Sequence, residues 1–468
     1  VLRSLVLLAS LSLASFAIKA ESLDPNAIER IDADVRAILA RTNTPSAAIA
    51  VVRDGNVVYR KAYGYRDVER RLPAEADTFY EIGSITKQFT AAAILTLQEA
   101  GKLRIDDKLS KYLPDAPHAD EVTLRQLLSH TSGLPEYFVD GPETERVATK
   151  PVTFDELLAR VAGKPLDFSP GSRMTYNNTG YILLGRVIEV VSRQSYRDYV
   201  RKHLIEPAGM AHTHTVAEEA GLSNMAIGYR HNGSALERAP TIHESFGWSA
   251  GNLVSTLDDL EKWNRALAGG RIVSAASYAE MTTPVAITQG SSDYGLGLFV
   301  DSVHDQPRIG HTGGTFGFTT ANELFPKQRL RIIAFTNCRT DPEPGEMITT
   351  AIFDDVFPDI AAAANRSAPG EDADVTLKAT TLFEHLQSGA EDSHLVARLD
   401  AKMKSGLAGR LKDLFAPFGA PTRFIYKGSR QDAGLHWYDY VIDFGPGSQL
   451  KFAIGLDDEA KIASLSYG

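Results

Sequence analysis

Cysteine is nearly absent from this chain. Among 468 residues there is one, Cys338, so no internal disulfide can form and the fold must be held by its core. Cys338 closes the apolar run 331–337, which places it as a buried thiol rather than a nucleophile. A basic excess is also lacking. Lys and Arg number 49 against 59 Asp and Glu, for a net charge of −10, which excludes the electropositive face that nucleic-acid binding needs. Metal-ligand spacing is missing as well: there is no His-x-x-x-His, no His-Glu-x-x-His and no Cys pair, so no metal or other cofactor is expected. No internal repeat or low-complexity tract is present. A long uncharged apolar run occurs at 5–17, after Arg3 and before the small residues Ala17 and Ala20. It is too short to span a bilayer. It reads as a secretory signal over 1–20, cleaved between Ala17 and Ala20, which implies a periplasmic or secreted protein with no stable membrane insertion after cleavage.

What remains is ordinary globular composition, 43% hydrophobic and 23% charged, in a length that suits one large domain and a smaller one. An amphipathic helix is expected over 24–41, then a strand over 46–52, an Asp54-Gly55 turn and a second strand, a hairpin signal. A long helix follows over 88–100, with Gly101 as its stop. The middle, 121–268, reads as mostly helical. Strands return at 294–300, 308–310, 319–324 and 330–336. Strands at both ends with helices between them predict an α+β fold in which the terminal strands share one antiparallel sheet. The expected domains are 21–358 for this body, a linker at 359–374, and a small C-terminal α+β domain over 375–468 in which helices precede a meander of strands.

The chemistry starts at Ser84-Ile85-Thr86-Lys87. Residues three apart share a helix face, so a Ser at a helix start can hydrogen-bond a Lys one turn later. Burial would lower the Lys pKa and let the amine take the Ser proton, and the helix N-terminus aims N–H groups at a developing oxyanion. Alone the motif is weak: Ser448-Gln449-Leu450-Lys451 matches it too, in a β-patterned segment where the geometry differs. Two further elements sharpen it. Tyr176-Asn177-Asn178 is the one Tyr-x-Asn, and His311-Thr312-Gly313 the one His-Thr-Gly.

That order, with Leu127-Leu-Ser-His-Thr-Ser-Gly-Leu-Pro135 between the first two, resembles the penicillin-recognising serine enzymes. The chain is similar to the β-lactamase-related serine hydrolases, a group that includes class C β-lactamases, DD-peptidases, D-aminopeptidases and family VIII carboxylesterases. The resemblance covers roughly 28–357. It implies an antiparallel sheet flanked by helices, with a helical lobe. It also implies roles: Ser84 as nucleophile, Lys87 as proton acceptor or its electrostatic tuner, and Tyr176 as the proton shuttle to the leaving group and to water. Asn178 would hold Lys87 and the substrate amide, His311, Thr312 and Gly313 would line the far wall, and the N–H groups of Ser84 and Gly314 would form the oxyanion hole. Two departures weaken carboxylate and β-lactam recognition. His311 stands where many relatives carry Lys, and Gly314 where several have Ser or Thr.

A rival nucleophile is Ser249, in Gly247-Trp248-Ser249-Ala250-Gly251, the pattern of an α/β-hydrolase elbow. No buried strand is expected before it and the next helix is expected near Thr256, so Ser249 is expected in a loop near the cleft. His130 reads as a structural hydrogen-bonder, and Arg308 as either an aid to a substrate carboxylate or a surface residue. Three functions compete: an esterase or D-amino-acid peptidase or amidase, a β-lactamase or DD-carboxypeptidase, and a penicillin-binding sensor that deacylates slowly. The partner in each is a small-molecule or peptide substrate, and a homo-oligomer is compatible with all three.

Overall fold

The computed structural model describes residues 22–139, 141–233 and 235–467; the expected signal at 1–20 lies outside them. The principal sheet has seven strands, in the order Leu72–Pro73, Asn56–Asp67, Ser46–Arg53, Leu330–Thr336, Thr319–Phe325, Gln306–Gly314, Phe299–Val303. All its pairings are antiparallel. Residues from the two ends of this body meet at its centre, where Ala50 pairs with Ile333. Because side chains alternate across a strand, each central strand feeds two cores. Ala47, Ile49 and Val51 face the helices Pro25–Arg41 and Pro344–Val356. Ala48 and Ala50 join Phe89, Ile94, Leu184 and Trp263 in the larger core on the other face.

That larger core carries the helical lobe. Helix Thr86–Glu99 is buried nearly all round, which its run of Ala91-Ala92-Ala93 permits. Helix Asn178–Ser192 packs on it, N-capped by Asn177, whose side chain accepts from Gly180 N–H. Short strands also occur here, at His214–Thr215, Tyr229–Asn232, Ala235–Arg238 and Leu253–Ser255. The strand expected over 294–300 begins only at Phe299. Gly297, at φ +76°, and a Gly295 N–H to Leu298 carbonyl bond of 2.9 Å turn the preceding residues into a tight reversal.

Beyond this body, Pro358–Ala364 is helical, and 365–372 has no regular structure. Helices Ala373–Ser388 and Ala408–Phe415 then pack on a four-stranded meander, Arg423–Asp432, Leu435–Asp443, Gln449–Leu456 and Ile462–Tyr467. This unit has its own core around Phe383, Phe415, Ile442 and Phe452. It touches the main body through Arg41, whose guanidinium donates to the carbonyls of Phe444 and Pro446 at 2.9 Å each. Cys338 is buried, and burial pushes its thiol up to about 12, a value that leaves it unreactive near neutrality.

Candidate active site

Ser84 sits in a single 3₁₀ turn, Gly83–Ile85, that opens into helix Thr86–Glu99. Gly83 is required there. Its φ is +50°, and a Cβ would lie 2.8 Å from the backbone nitrogen of Gly314. This close approach brings the Ser84 turn against the end of strand Gln306–Gly314, and Ser84 and Gly314 line the same 430 Å³ cavity.

Lys87 lies one turn on and is fully buried. Its ammonium nitrogen reaches Ser84 Oγ at 3.0 Å, Asn178 Oδ1 at 2.8 Å and the Ala250 carbonyl at 2.9 Å. None of these three carries a formal charge, so desolvation governs. It lowers the Lys87 pKa to about 7, against a smaller opposing pull from Glu136. An appreciable fraction of the amine is therefore neutral at physiological pH and able to accept a proton from the adjacent hydroxyl.

Tyr176 is half-buried, with its hydroxyl oxygen enclosed and its ring 4.8 Å from the Lys87 ammonium. Its hydroxyl makes no hydrogen bond of good geometry, although the Ser84 hydroxyl stands beside it. The ring is held between His130, with centroids 4.3 Å apart, and Phe299, at 6.2 Å and nearly parallel. His130 accepts from the Asn177 N–H at Nδ1, 3.1 Å, and burial holds its pKa well below the usual histidine range. It thus supports the Tyr176 segment as a neutral ring, in line with a structural hydrogen-bonder.

His311 is also neutral. Burial first, and the Lys87 charge second, lower its pKa to about 3. Its Nδ1 faces the Thr312 carbonyl at 2.5 Å, and a carbonyl can only accept, so Nδ1 carries the proton. Nε2 then accepts from the Tyr294 hydroxyl at 2.9 Å. No positive charge faces the cleft from this position.

Two acidic residues line the same cavity, and sequence reasoning passed over both. Glu136 follows Leu134-Pro135. Its carboxylate accepts from the N–H groups of Phe138 at 2.7 Å and Asn178 at 2.5 Å, yet burial still raises its pKa to about 7. Glu343 has Arg339 beside it and is raised to about 7, again chiefly by burial. The one available signal was position: Glu136 lies directly after the Gly-Leu-Pro phrase.

Ser249 is not a loop residue at the cleft. It lies in helix Glu244–Gly251, kinked at Trp248, and is fully buried. Its hydroxyl donates to the Tyr181 carbonyl at 3.0 Å, and a Cβ at Gly185 would strike it at 2.1 Å. The tight crossing of helices here is at Gly185, whereas Gly247 and Gly251 make only ordinary contacts and, with Ala250, line the cavity. Ser84, Lys87, Tyr176, Asn178, His311, Thr312 and Gly314 are brought to one place, with Gly313 packed against the carbonyl of Ile82 on their rim; Ser249 and Ser448 are not.

A sheet with a helical lobe, and a Ser–Lys pair buried between them, define the class. The chain belongs to the Beta-lactamase family, whose description matches residues 31–357. It is 28% identical over 325 residues to Protein flp of Staphylococcus aureus (strain MW2), across 68% of this chain and 64% of that protein; the match thus spans under two thirds of the relative's length. Among solved structures it resembles a D-stereospecific amidohydrolase from Streptomyces sp., at 26% identity and TM-score 0.60, covering 70% of this chain and 98% of that one. It also shares the fold of an octameric penicillin-binding protein homologue from Pyrococcus abyssi, at 23% identity and TM-score 0.63. That likeness covers 94% of this chain and 100% of the other, so it takes in the C-terminal unit. No helix among the described residues is long and apolar enough to cross a membrane.

Proposed function

We propose that this protein is a serine hydrolase that forms an acyl-enzyme on Ser84 and cleaves amide or ester bonds, with preference for substrates that carry an amine near the scissile bond. The observation that carries the proposal is the buried Lys87 nitrogen 3.0 Å from Ser84 Oγ. In this reading neutral Lys87 takes the Ser84 proton as Oγ attacks the carbonyl carbon. The oxyanion is held by the N–H groups of Ser84 and Gly314. Tyr176, adjacent to Ser84, delivers a proton to the departing amine or alkoxide. It then draws one from the water that hydrolyses the ester-linked acyl group. Asn178 positions Lys87, and His311, Thr312 and Gly313 form the opposite wall.

Substrate preference follows from charge. A carboxylate-bearing ligand finds a neutral His311 and two carboxyl groups, Glu136 and Glu343, in this cavity, against one lining cation, Arg339, which stands beside Glu343. Glu136 offers an acceptor for an ammonium group instead. The similarity to a D-stereospecific amidohydrolase supports D-aminoacyl amides as the first class to try. In this proposal residues 21–358 carry the chemistry and 375–468 form a packing domain. Residues 1–20 direct export, and the likeness to an octameric relative supports self-association.

The test is fluorophosphonate labelling with peptide mass spectrometry, together with turnover of D-aminoacyl amides, p-nitrophenyl esters, D-Ala-D-Ala peptides and nitrocefin, with Ser84→Ala as control. Label on Ser84 and faster cleavage of amides or short esters than of nitrocefin are expected. Label on Ser249 overturns the nucleophile assignment, nitrocefin as the best substrate overturns the substrate class, and stoichiometric labelling by penicillin without turnover favours a sensor.

A further inference from the structure

Behind Thr312 the cleft has a second compartment. It is a 230 Å³ cavity that shares Phe299, His311 and Thr312 with the site around Ser84 and is otherwise lined by charged groups and Gly310. Arg308 is part of its lining. Far from being free to receive a substrate carboxylate, its guanidinium is bidentate to Asp301, at 2.8 and 2.7 Å, and also donates to Glu323 and Glu346, each at 2.9 Å. One cation is thus matched by three carboxyl groups, and Asp293 adds a fourth to the lining.

The balance is uneven in one further respect. Glu323 is 2% exposed, and its Oε2 has no hydrogen-bond partner. The Thr349 hydroxyl stands beside this carboxyl but donates to the Glu346 carbonyl at 2.9 Å. A buried carboxyl oxygen left without a donor is costly and uncommon. Burial raises the Glu323 pKa, against the pull of Arg308. A charged donor carried by a ligand would bond this carboxyl more strongly than a neutral hydroxyl does.

We infer that this compartment is a subsite for a cationic substituent of the substrate, a primary ammonium or guanidinium carried on the arm that passes Thr312, with Glu323 and Asp293 as its acceptors. This rests on the reading of the Ser84 cleft as a hydrolytic site and extends it: the enzyme would select dibasic or diamine-derived amides and esters over their alkyl isosteres. A hydrogen bond from a charged donor is worth about 1.5–3 kcal/mol, a factor of roughly ten or more in affinity.

Two isosteric pairs test it. D-Lysine amide is compared with D-2-aminoheptanamide, and the D-alanine amide of 1,4-diaminobutane with that of n-pentylamine. Binding to Ser84→Ala protein is measured by calorimetry, and kcat/KM on the unsubstituted enzyme. In at least one pair the cationic member is expected to bind and turn over about tenfold better. Glu323→Gln should bring that ratio towards one, and so should Asp293→Asn, an exposed position that protects the test if Glu323→Gln fails to fold. Equal binding within both pairs overturns the subsite, as does a cationic preference that survives both substitutions. Failure of the hydrolytic reading is separate: it would show as absent fluorophosphonate labelling of Ser84, while the calorimetric ratio still reports on the compartment.

Discussion

Around Ser84 the buried side chains include Lys87, His130 and His311, with Glu136 half-buried beside them, whereas the C-terminal unit buries Phe383, Phe415, Ile442, Phe452 and Ile454, with Asp392 and Ser448 as the polar side chains below the surface among the described residues. Asp392 is compensated by His385 at 2.9 Å and His394 at 3.0 Å. The first region takes ionisable groups out of water, and their protonation shifts towards the neutral form in consequence. The second takes out little but hydrocarbon. Burial therefore shifts protonation at a cost in stability in one region and supplies stability in the other.

The sharpest way to break this contrast is Ser84→Ala, for which we expect activity to fall by about 10⁴–10⁶-fold with an unchanged melt. Tyr176→Phe should lose about 10²–10⁴-fold, in both acylation and deacylation, as read by pre-steady-state kinetics. In the C-terminal unit Phe383→Ala should cost about 3–5 kcal/mol, seen by denaturant titration, while Ser84 labelling persists. A chain ending at Ala363 should likewise still be labelled, with reduced solubility because the Arg41 contacts are lost; a folded truncation that cannot be labelled would show that the two regions build the site together.

The pH dependence separates the regions more finely. Lys87 falls from its ordinary 10.5 to about 7, so the acylation rate should rise through pH 7 as the amine loses its proton. Between those values the unfolded chain binds the extra proton, so stability of the main body should increase with pH above about 7. Glu136 and Glu343 are raised from 4.5 to about 7. Here the folded state binds more protons, and stability should decline as pH rises from 4.5 to 7. Glu323 and Asp355 are raised likewise. These four carboxyl groups together outweigh His130 and His311, whose lowered pKa values act in the opposite sense below about 6.5. A minimum near neutrality is thus expected for the main-body transition between pH 5 and 9 by calorimetry, and a flatter response for the C-terminal one. The smallest effect expected is that of Ser249→Ala: near-normal turnover, with a loss of about 0.5–1.5 kcal/mol for one buried hydrogen bond.

Much of the fold was legible because its signals are local. Asp24 caps helix Pro25–Arg41, Asp54-Gly55 turns the first hairpin, and alternation marks the C-terminal strands. Ser84, Lys87 and Tyr176 were legible through spacing and order. Helix Glu244–Gly251 was not: it is short, contains two of the chain's glycines and breaks at Trp248, φ +33°, so helical periodicity never accumulates. Glu136 and Glu343 stayed hidden for another reason. A lone carboxylate reads as a solvated charge until tertiary contacts remove its water, and that depends on residues distant in the chain.

The contact of Gly83 with Gly314 has a bearing on how the protein comes into being. Ser84 leaves the ribosome long before strand Gln306–Gly314 does, and until that strand pairs with Thr319–Phe325 the Gly314 N–H, the proposed second oxyanion donor, has no fixed place. Under the proposed mechanism the serine is then an ordinary alcohol throughout synthesis, and its reactivity appears only as the sheet closes. In refolding experiments the onset of Ser84 labelling should trail the recovery of helical signal, which makes covalent modification a readout for the last, longest-range step of folding.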